Sequence, residues 1–251
     1  MKFQIILADL VIEINSIYEK IFFFCQKYII FEEKVHKADI VVTVTNNDLE
    51  NEKLIYRNVY GYYNDDIEKS ELSLEDLEII SIYRKISIEM LSFNTFLMHG
   101  AVVSTRGNGY MFSASSGVGK TTRTRLWMQN IPDSIIVNGD KPLLKVTDDS
   151  LYAFGTPWCG KEGWNTNVRV RLKAIFLVER AQDDRDSIVR EISFTDAFLN
   201  LLMLTYRPTN QIQMSKTLQL LKAIEGKVRF YQFRSKPTAD AIRMAYEAVS
   251  Q

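Results

Sequence analysis

The sequence predicts a mixed α/β fold, an antiparallel-rich sheet with flanking helices, and three observations carry that expectation. A short apolar run, "GYMFSA", ends in small residues and leads straight into "SSGVGKTTRTRLW", a glycine-rich turn followed by helix-compatible spacing. The preceding run, "MHGAVVST", is separated from it only by "RGNG", so the two read as a hairpin, with Gly107-Asn108-Gly109 supplying the positive φ values of the turn. A second meander follows: "SIIVNGD", "PLLKVT", a turn at "DDS", then "LYAFG". A doubly wound nucleotide-binding sheet would place crossover helices between such strands and keep them parallel.

The remaining elements follow in chain order. "FQIILADLVIEI" reads as one or two strands, and Ser16-Ile-Tyr-Glu19 has the capping-box spacing ahead of a helix. "ADIVVTVT" is β-branched and strand-like, "NNDLENEK" is polar and loop-like, and Leu54 to Ser70 suggests strands and turns. Ser73-Leu-Glu-Asp76 repeats the cap spacing with aspartate at its end, before a long helix ending near Asn94. After the second meander, "LKAIFLVERA" and "SIVREIS" read as strands around a solvated "QDDRD" turn. "FTDAFLNLLMLTY" and "KTLQLLKAIEG" read as helices, "VRFYQF" as a strand and "TADAIRMAYEAVSQ" as a terminal helix. Nothing resembling a linker or repeat interrupts the chain, which favours one continuous domain. Within it, residues 1–95 form an N-terminal α/β region packed on the core and related to the substrate, and residues 96–251 form the core with the loop.

Composition narrows the function classes. The 251 residues suffice for a sizeable core, and the 31 basic and 31 acidic side chains balance, so no basic footprint for nucleic acid appears. Cys25 and Cys159 lie far apart and match no metal or redox spacing, the pattern of free thiols in a reducing compartment. "KIFFFCQKYIIF" is apolar, but Glu13, Glu19, Lys20 and Lys27 interrupt it, and no basic leader with a cleavage site is present. The expectation is a cytoplasmic protein without a membrane partner.

The chemistry concentrates in Ala114-Ser115-Ser116-Gly117-Val118-Gly119-Lys120-Thr121, the alanine-led form of the phosphate-binding loop G-x-x-x-x-G-K-[ST]. Gly117 and Gly119 let successive N–H groups turn into one concave nest around an oligophosphate. Lys120 brings a compact positive charge to the terminal phosphates, and the Thr121 hydroxyl is a hard oxygen ligand suited to Mg²⁺. A helix beginning near Lys120, and running on through Thr122, aims its positive dipole end at the same anion. The pattern indicates ATP or GTP with Mg²⁺.

With "MHG" opening the first strand of the hairpin and "VNGD" closing a short strand after the loop helix, residues 97–180 resemble the kinase domain of HPr kinase/phosphorylase. That family shares its fold with phosphoenolpyruvate carboxykinase and includes shorter bacterial relatives similar to serine or peptide kinases. The resemblance implies that Lys120 and the loop amides bind the β- and γ-phosphates, that Thr121 ligates Mg²⁺, and that Asp140 takes the place of the catalytic carboxylate near the metal and the attacking hydroxyl. It places His99 beside that carboxylate, tuning its charge. Gly139 stands where the family has the first of two adjacent acidic residues, which puts a second metal contact and the phosphorylase half-reaction in question. The plain alternatives are Asp140 as a turn former in "NGDKP" and His99 as a hydrogen-bonded core residue, while His36 reads as a surface residue.

"GTPWCGKEGWNTN" packs Trp158, Trp164, Lys161, Asn165 and Asn167 into one loop, and resembles an element of the shorter relatives. Lys161 would add charge over a transferring phosphate, or the tryptophans would only cover the sheet. Arg207, just past a helix, would meet a phosphate or cap that helix. The combined expectation is an ATP- and Mg²⁺-dependent kinase acting on a hydroxyl, a serine of a small protein or peptide. A nucleotide-binding sensor or assembly module without transfer, and a carboxykinase-like metabolic enzyme, stand as alternatives. Homo-oligomerisation is left open, the larger relatives forming rings.

Overall fold

The computed structural model describes residues 1–31, 36–60, 72–114, 117–181, 183 and 187–250, with the backbone alone at 57–60. Two compact units make it up, Met1–Glu89 and Met90–Gln251.

In the first unit, β1 (Lys2–Leu7) and β2 (Leu10–Asn15) pair antiparallel, and β3 (Ile40–Thr43) joins β2 in parallel. The β1–β2 turn is Ala8-Asp9, both at positive φ (54° and 65°), the two-residue geometry whose twist matches a hairpin. Period-two alternation puts Ile5, Leu7, Ile12 and Ile14 on the buried face.

The capping box expected at Ser16 does not form. The helix after it, α1 (Lys20–Phe24), is short, and the Ser16 hydroxyl donates to the Tyr18 carbonyl. The loop expected at "NNDLENEK" is instead the start of helix α2 (Asn46–Tyr60). Its cap is Thr45, whose hydroxyl accepts from Asp48 N–H at 3.4 Å while Asp48 accepts from Thr45 N–H at 2.7 Å. Propensity undervalued this polar segment because its partners lie far along the chain: Arg84–Glu52 at 2.8 Å and Lys85–Asp48 at 2.9 Å tie it to α3 (Leu74–Glu89). The strands expected at Leu54 to Ser70 therefore give way to helix as far as Tyr60, and the rest of that segment lies outside the described residues. The Ser73–Asp76 cap of α3 does form, with Asp76 N–H donating to Ser73 at 3.1 Å.

The second unit opens with a 3₁₀ turn, Met90–Phe93, stopped by Asn94 at φ 53°. Its strands are β4 (Thr95–Leu97), β5 (Ala101–Thr105), β6 (Asn108–Ser113), β7 (Ser134–Asn138), β8 (Leu143–Val146), β9 (Leu151–Phe154), β10 (Arg169–Arg180), β11 (Ile188–Ile192) and β12 (Arg229–Ser235). Its helices are α4 (Lys120–Asn130), α5 (Phe194–Leu204), α6 (Gln211–Lys222) and α7 (Ala239–Ser250). Among the described residues the strands form one sheet in the order β4-β8-β9-β10-β6-β5-β7, with β12 beside β10 and β11 beside β12. Only β10 makes parallel pairs there, with β6 and β12; the other pairs are antiparallel. This is the mixed, antiparallel-rich α/β architecture read from sequence. The β5–β6 turn is centred on Arg106-Gly107 (φ 50° and 78°), one residue earlier than the glycines suggested, because Asn108 and Gly109 already pair with Thr105 and Ser104.

Alternation along the central strands gives this sheet two unlike faces. Met111, Ile175 and Phe230 face a mainly aliphatic layer containing Leu201 of α5 and Leu221 of α6. Phe112, Phe176 and Phe233 face α4 and α7, where Phe112 stacks on Phe176 at 5.3 Å and meets Trp127 edge-on at 5.5 Å. The loop helix is thus seated on rings. No helix among the described residues is long and apolar enough to cross a membrane.

Candidate functional site

The glycine-rich loop sequence begins where β6 ends. Ala114 is buried, Gly117 and Gly119 stand at φ 79° and 103°, and Gly119 is the N-cap of α4. Ser115 and Ser116 lie outside the described residues. Val118 packs against the aromatic layer, while Thr121 is half-buried and Thr122 exposed, one turn into the helix. Lys120 is buried, and its ammonium donates to the Ala114 carbonyl at 2.8 Å, folding the loop around its own lysine. Burial pushes its pKa below the ordinary lysine value; the Asp140 charge opposes that and the Lys141 charge adds to it.

Beneath the loop sits a residue the motif does not announce. Arg123 is fully buried and lies 5.2 Å over the Phe233 ring. Its guanidinium donates to the carbonyls of Val118 (3.1 Å), Gly119 (3.4 Å), Glu179 (3.3 Å) and Ser235 (2.5 Å). These bonds tie the loop to the ends of β10 and β12, and burial, with the nearby Arg180 charge, lowers the guanidinium to about 10. Arg180 reaches the Gly117 carbonyl at 3.4 Å from the rim.

His99, Gly100 and Asp140 come together on neighbouring strand ends. His99 Nε2 lies 2.9 Å from Asp140 Oδ1, Gly100 N–H donates to the Asp140 carbonyl at 2.8 Å, and the Ser113 hydroxyl donates to the His99 carbonyl at 2.6 Å. Ser113 immediately precedes Ala114, so the histidine is stitched between the loop strand and the aspartate. Gly100 admits no side chain, since a Cβ would fall 2.9 Å from the Phe112 carbonyl oxygen.

Asn138 builds the turn that presents Asp140. Fully buried, it donates to the Thr156 carbonyl and hydroxyl, each at 3.0 Å, and its Oδ1 accepts from the N–H groups of both Asp140 (2.9 Å) and Lys141 (2.7 Å). The Lys141 ammonium donates to Asp140 Oδ2, leaving the carboxylate between a histidine on one oxygen and a lysine on the other. Burial alone would raise this carboxyl, but His99 and Lys141 outweigh it and hold it at about 2. Asn138, Lys141 and Arg123 were missed in the sequence. The signal that could have found the first two is the Asx-turn pattern "NGDK" closing an apolar strand.

Gly139 has a geometric reason. A Cβ there would come 2.7 Å from the Cys159 carbonyl oxygen, and Gly139 N–H already donates to the Trp164 carbonyl at 2.8 Å, so this fold has no room for an acidic side chain at 139. The same contacts dock the "TPWCGKEGW" loop on the aspartate turn. Gly160, at φ 80°, lies where a Cβ would be 3.2 Å from Asp140 Cβ; Lys161, next along, is exposed. Trp158 is buried, Asn165 donates to Cys159 Sγ at 2.9 Å, and Arg125 of α4 lies 5.6 Å over the Trp164 ring. Arg207 folds back to Met203 Sδ at 3.0 Å along α5.

The oxygen donors that a Mg²⁺ ion would draw on are the Thr121 hydroxyl and one carboxylate held ionised, Asp140. That fits an ion which keeps several waters and takes its remaining ligands from phosphates. Such an ion would supply charge neutralisation across the phosphate oxygens. No group of three or more His, Cys, Asp or Glu side chains able to hold a metal occurs among the described residues.

No family model matches the chain, and no curated protein matches it significantly. Among the solved structures that it resembles is the HPr(Ser) kinase/phosphatase from Coxiella burnetii, at 11% identity and a TM-score of 0.35, the match covering 61% of this chain and 88% of that one.

Proposed function

We propose that the chain is an ATP- and Mg²⁺-dependent phosphotransferase that phosphorylates a hydroxyl, a serine of a small protein or peptide. One observation carries this reading: hydrogen bonds join the loop strand to a carboxylate, with Ser113 holding the His99 carbonyl, His99 meeting Asp140 on its asparagine-built turn, and Lys120 closing on Ala114, the residue after Ser113. A nest of amides with an ammonium binds the β- and γ-phosphates; a carboxylate beside it is what transfer to a hydroxyl adds.

In this reading the acceptor oxygen attacks the γ-phosphorus, the bond to the β–γ bridging oxygen breaks, and ADP leaves with that electron pair. Asp140 orients the hydroxyl and takes its proton as the new bond forms. A carboxyl held at about 2 is ionised at neutral pH and a weak base, which suits a loose transition state where the proton moves late. Lys120 stabilises the charge on the transferring group, and Thr121 and Asp140 would hold the Mg²⁺ ion. His99 keeps one carboxylate oxygen occupied and so sets which faces the acceptor. Lys161, exposed and next to Gly160, would be available to a phosphate or an acidic acceptor.

A second reading rests on the Gly139 packing and on Lys141 occupying Asp140: a nucleotide-binding module that holds ATP without transfer. Incubation with γ-labelled ATP, Mg²⁺ and a cell lysate separates the two. Label moving to a lysate peptide or protein with the wild type and not with Asp140→Asn supports the kinase; tight ATP binding with no transfer supports the module. ATP affinity unchanged by Lys120→Ala, where a loss of about a hundredfold is expected for a removed phosphate ammonium, would sink both.

A further inference from the structure

We infer that Lys141 is the residue that reads the terminal phosphate: its ammonium leaves Asp140 Oδ2 when a nucleoside triphosphate binds and takes an oxygen of the γ-phosphate, so that it separates ATP from ADP. The inference rests on the phosphate-loop reading given above and deepens it.

The first argument is directional. Side chains of consecutive residues ordinarily diverge, yet the Lys141 ammonium meets Asp140 Oδ2, on a turn whose two N–H groups converge on Asn138 Oδ1. The Lys141 backbone is then fixed at its other end, where its carbonyl accepts from the Thr156 hydroxyl at 2.8 Å, and Pro142 restricts it further. The main chain is anchored on both sides of Lys141, so an exchange of partners falls to the rotatable bonds of its four-carbon stem. A surface lysine on a loop would have none of this scaffolding.

Charge gives the second argument. Lys141 keeps 38% of its side-chain surface exposed and Asp140 20%, so the pair opens to solvent and can be approached by a ligand. Hydrogen bonds lead from the pair to the loop: Asp140 meets His99, whose carbonyl is held by Ser113, and the next residue, Ala114, accepts from the Lys120 ammonium. A lone aspartate this close to a phosphate site would repel the triphosphate. Lys141 neutralises it while no ligand is bound, and a γ-phosphate carrying about two negative charges outcompetes a single carboxylate for that ammonium. The exchange also releases Oδ2 for an acceptor hydroxyl or a divalent ion. ADP ends one phosphate short and leaves the Lys141–Asp140 pair closed.

Calorimetric titration of ATP and ADP, each with Mg²⁺, into wild type, Lys141→Met and Lys141→Arg tests this. Lys141→Met should weaken ATP about tenfold and change ADP less than about twofold, while Lys141→Arg, which keeps the charge, should restore most of the ATP preference. Should Lys141→Met fail to fold by thermal melt, Lys141→Gln asks the same question with a polar, uncharged stem. An unchanged ATP-to-ADP ratio in a folded variant, or equal loss of both nucleotides, overturns the inference: the first makes Lys141 a bystander and the second a structural prop. Wild type that binds neither nucleotide overturns the phosphate-loop reading itself, so the two failures are distinguishable.

Discussion

Glu78 and Asp140 are both carboxylates drawn into turns, and they differ in what holds them. Glu78, in the first unit, is fully buried and accepts from the main-chain N–H groups of Ile17 (2.5 Å) and Tyr18 (3.1 Å), just ahead of α1. Asp140, in the second, is held by two side chains, His99 and Lys141, and keeps a fifth of its surface. Main-chain donors cannot leave without unfolding the turn, whereas side-chain donors can swing away. A carboxylate gripped by amides is a strut; one gripped by an imidazole and an ammonium is available for exchange.

The comparison can be pressed at both residues, beginning with the largest effect. Asp140→Asn should lower phosphoryl transfer about a thousandfold while ATP affinity changes far less and far-ultraviolet circular dichroism stays near wild type, since the change removes the proposed reacting group and keeps the shape. A drop in affinity matching the drop in rate would make Asp140 a strut as well. Glu78→Ala should cost the first unit about 3 kcal/mol, because two amides lose a charged acceptor inside the fold, and hydrogen exchange at Ile17 and Tyr18 would report it. Exchange left at the wild-type rate there would mean that water replaces the carboxylate and the contrast is false.

The smallest effect is one of pH. Asp140 titrates at about 2 in the folded chain against an ordinary 3.8, so the folded state binds its proton less readily than the unfolded state. Its contribution, about 2 kcal/mol, is fully present above about pH 4 and is lost as the pH falls toward 2. Urea titrations of wild type and Asp140→Asn should converge in that window and part above it. Curves that stay parallel down to pH 2 would show that the His99 and Lys141 contacts do not hold in solution.

What the sequence made legible is local. Alternating apolar runs and glycine-bearing turns marked both hairpins, and the loop pattern marked the β6–α4 junction because its glycines, lysine and helix start are adjacent in the chain. The His99 and Asp140 readings came through a family resemblance, and each sits on a strand end where pattern alone left a core or turn residue as the alternative. The rest depended on partners far away. α2 looked like a loop because Asn46, Asn47, Asp48 and Asn51 are weak helix signals until Arg84 and Lys85 meet Glu52 and Asp48. Ser16 had the spacing of a cap, but Glu78, more than sixty positions on, satisfied the amides instead. Likewise β10 is parallel to β6 and β12 across long stretches of chain, a pairing that no local window contains.

Arg123 carries a lesson for anyone moving this motif. The carbonyls of Val118 and Gly119 point toward its guanidinium, which in turn needs the Ser235 and Glu179 carbonyls to be satisfied. Grafted onto another scaffold, the eight-residue signature by itself would arrive without its anchor, and the transplanted turn would relax. A working transplant has to bring the tips of two distant strands along with it.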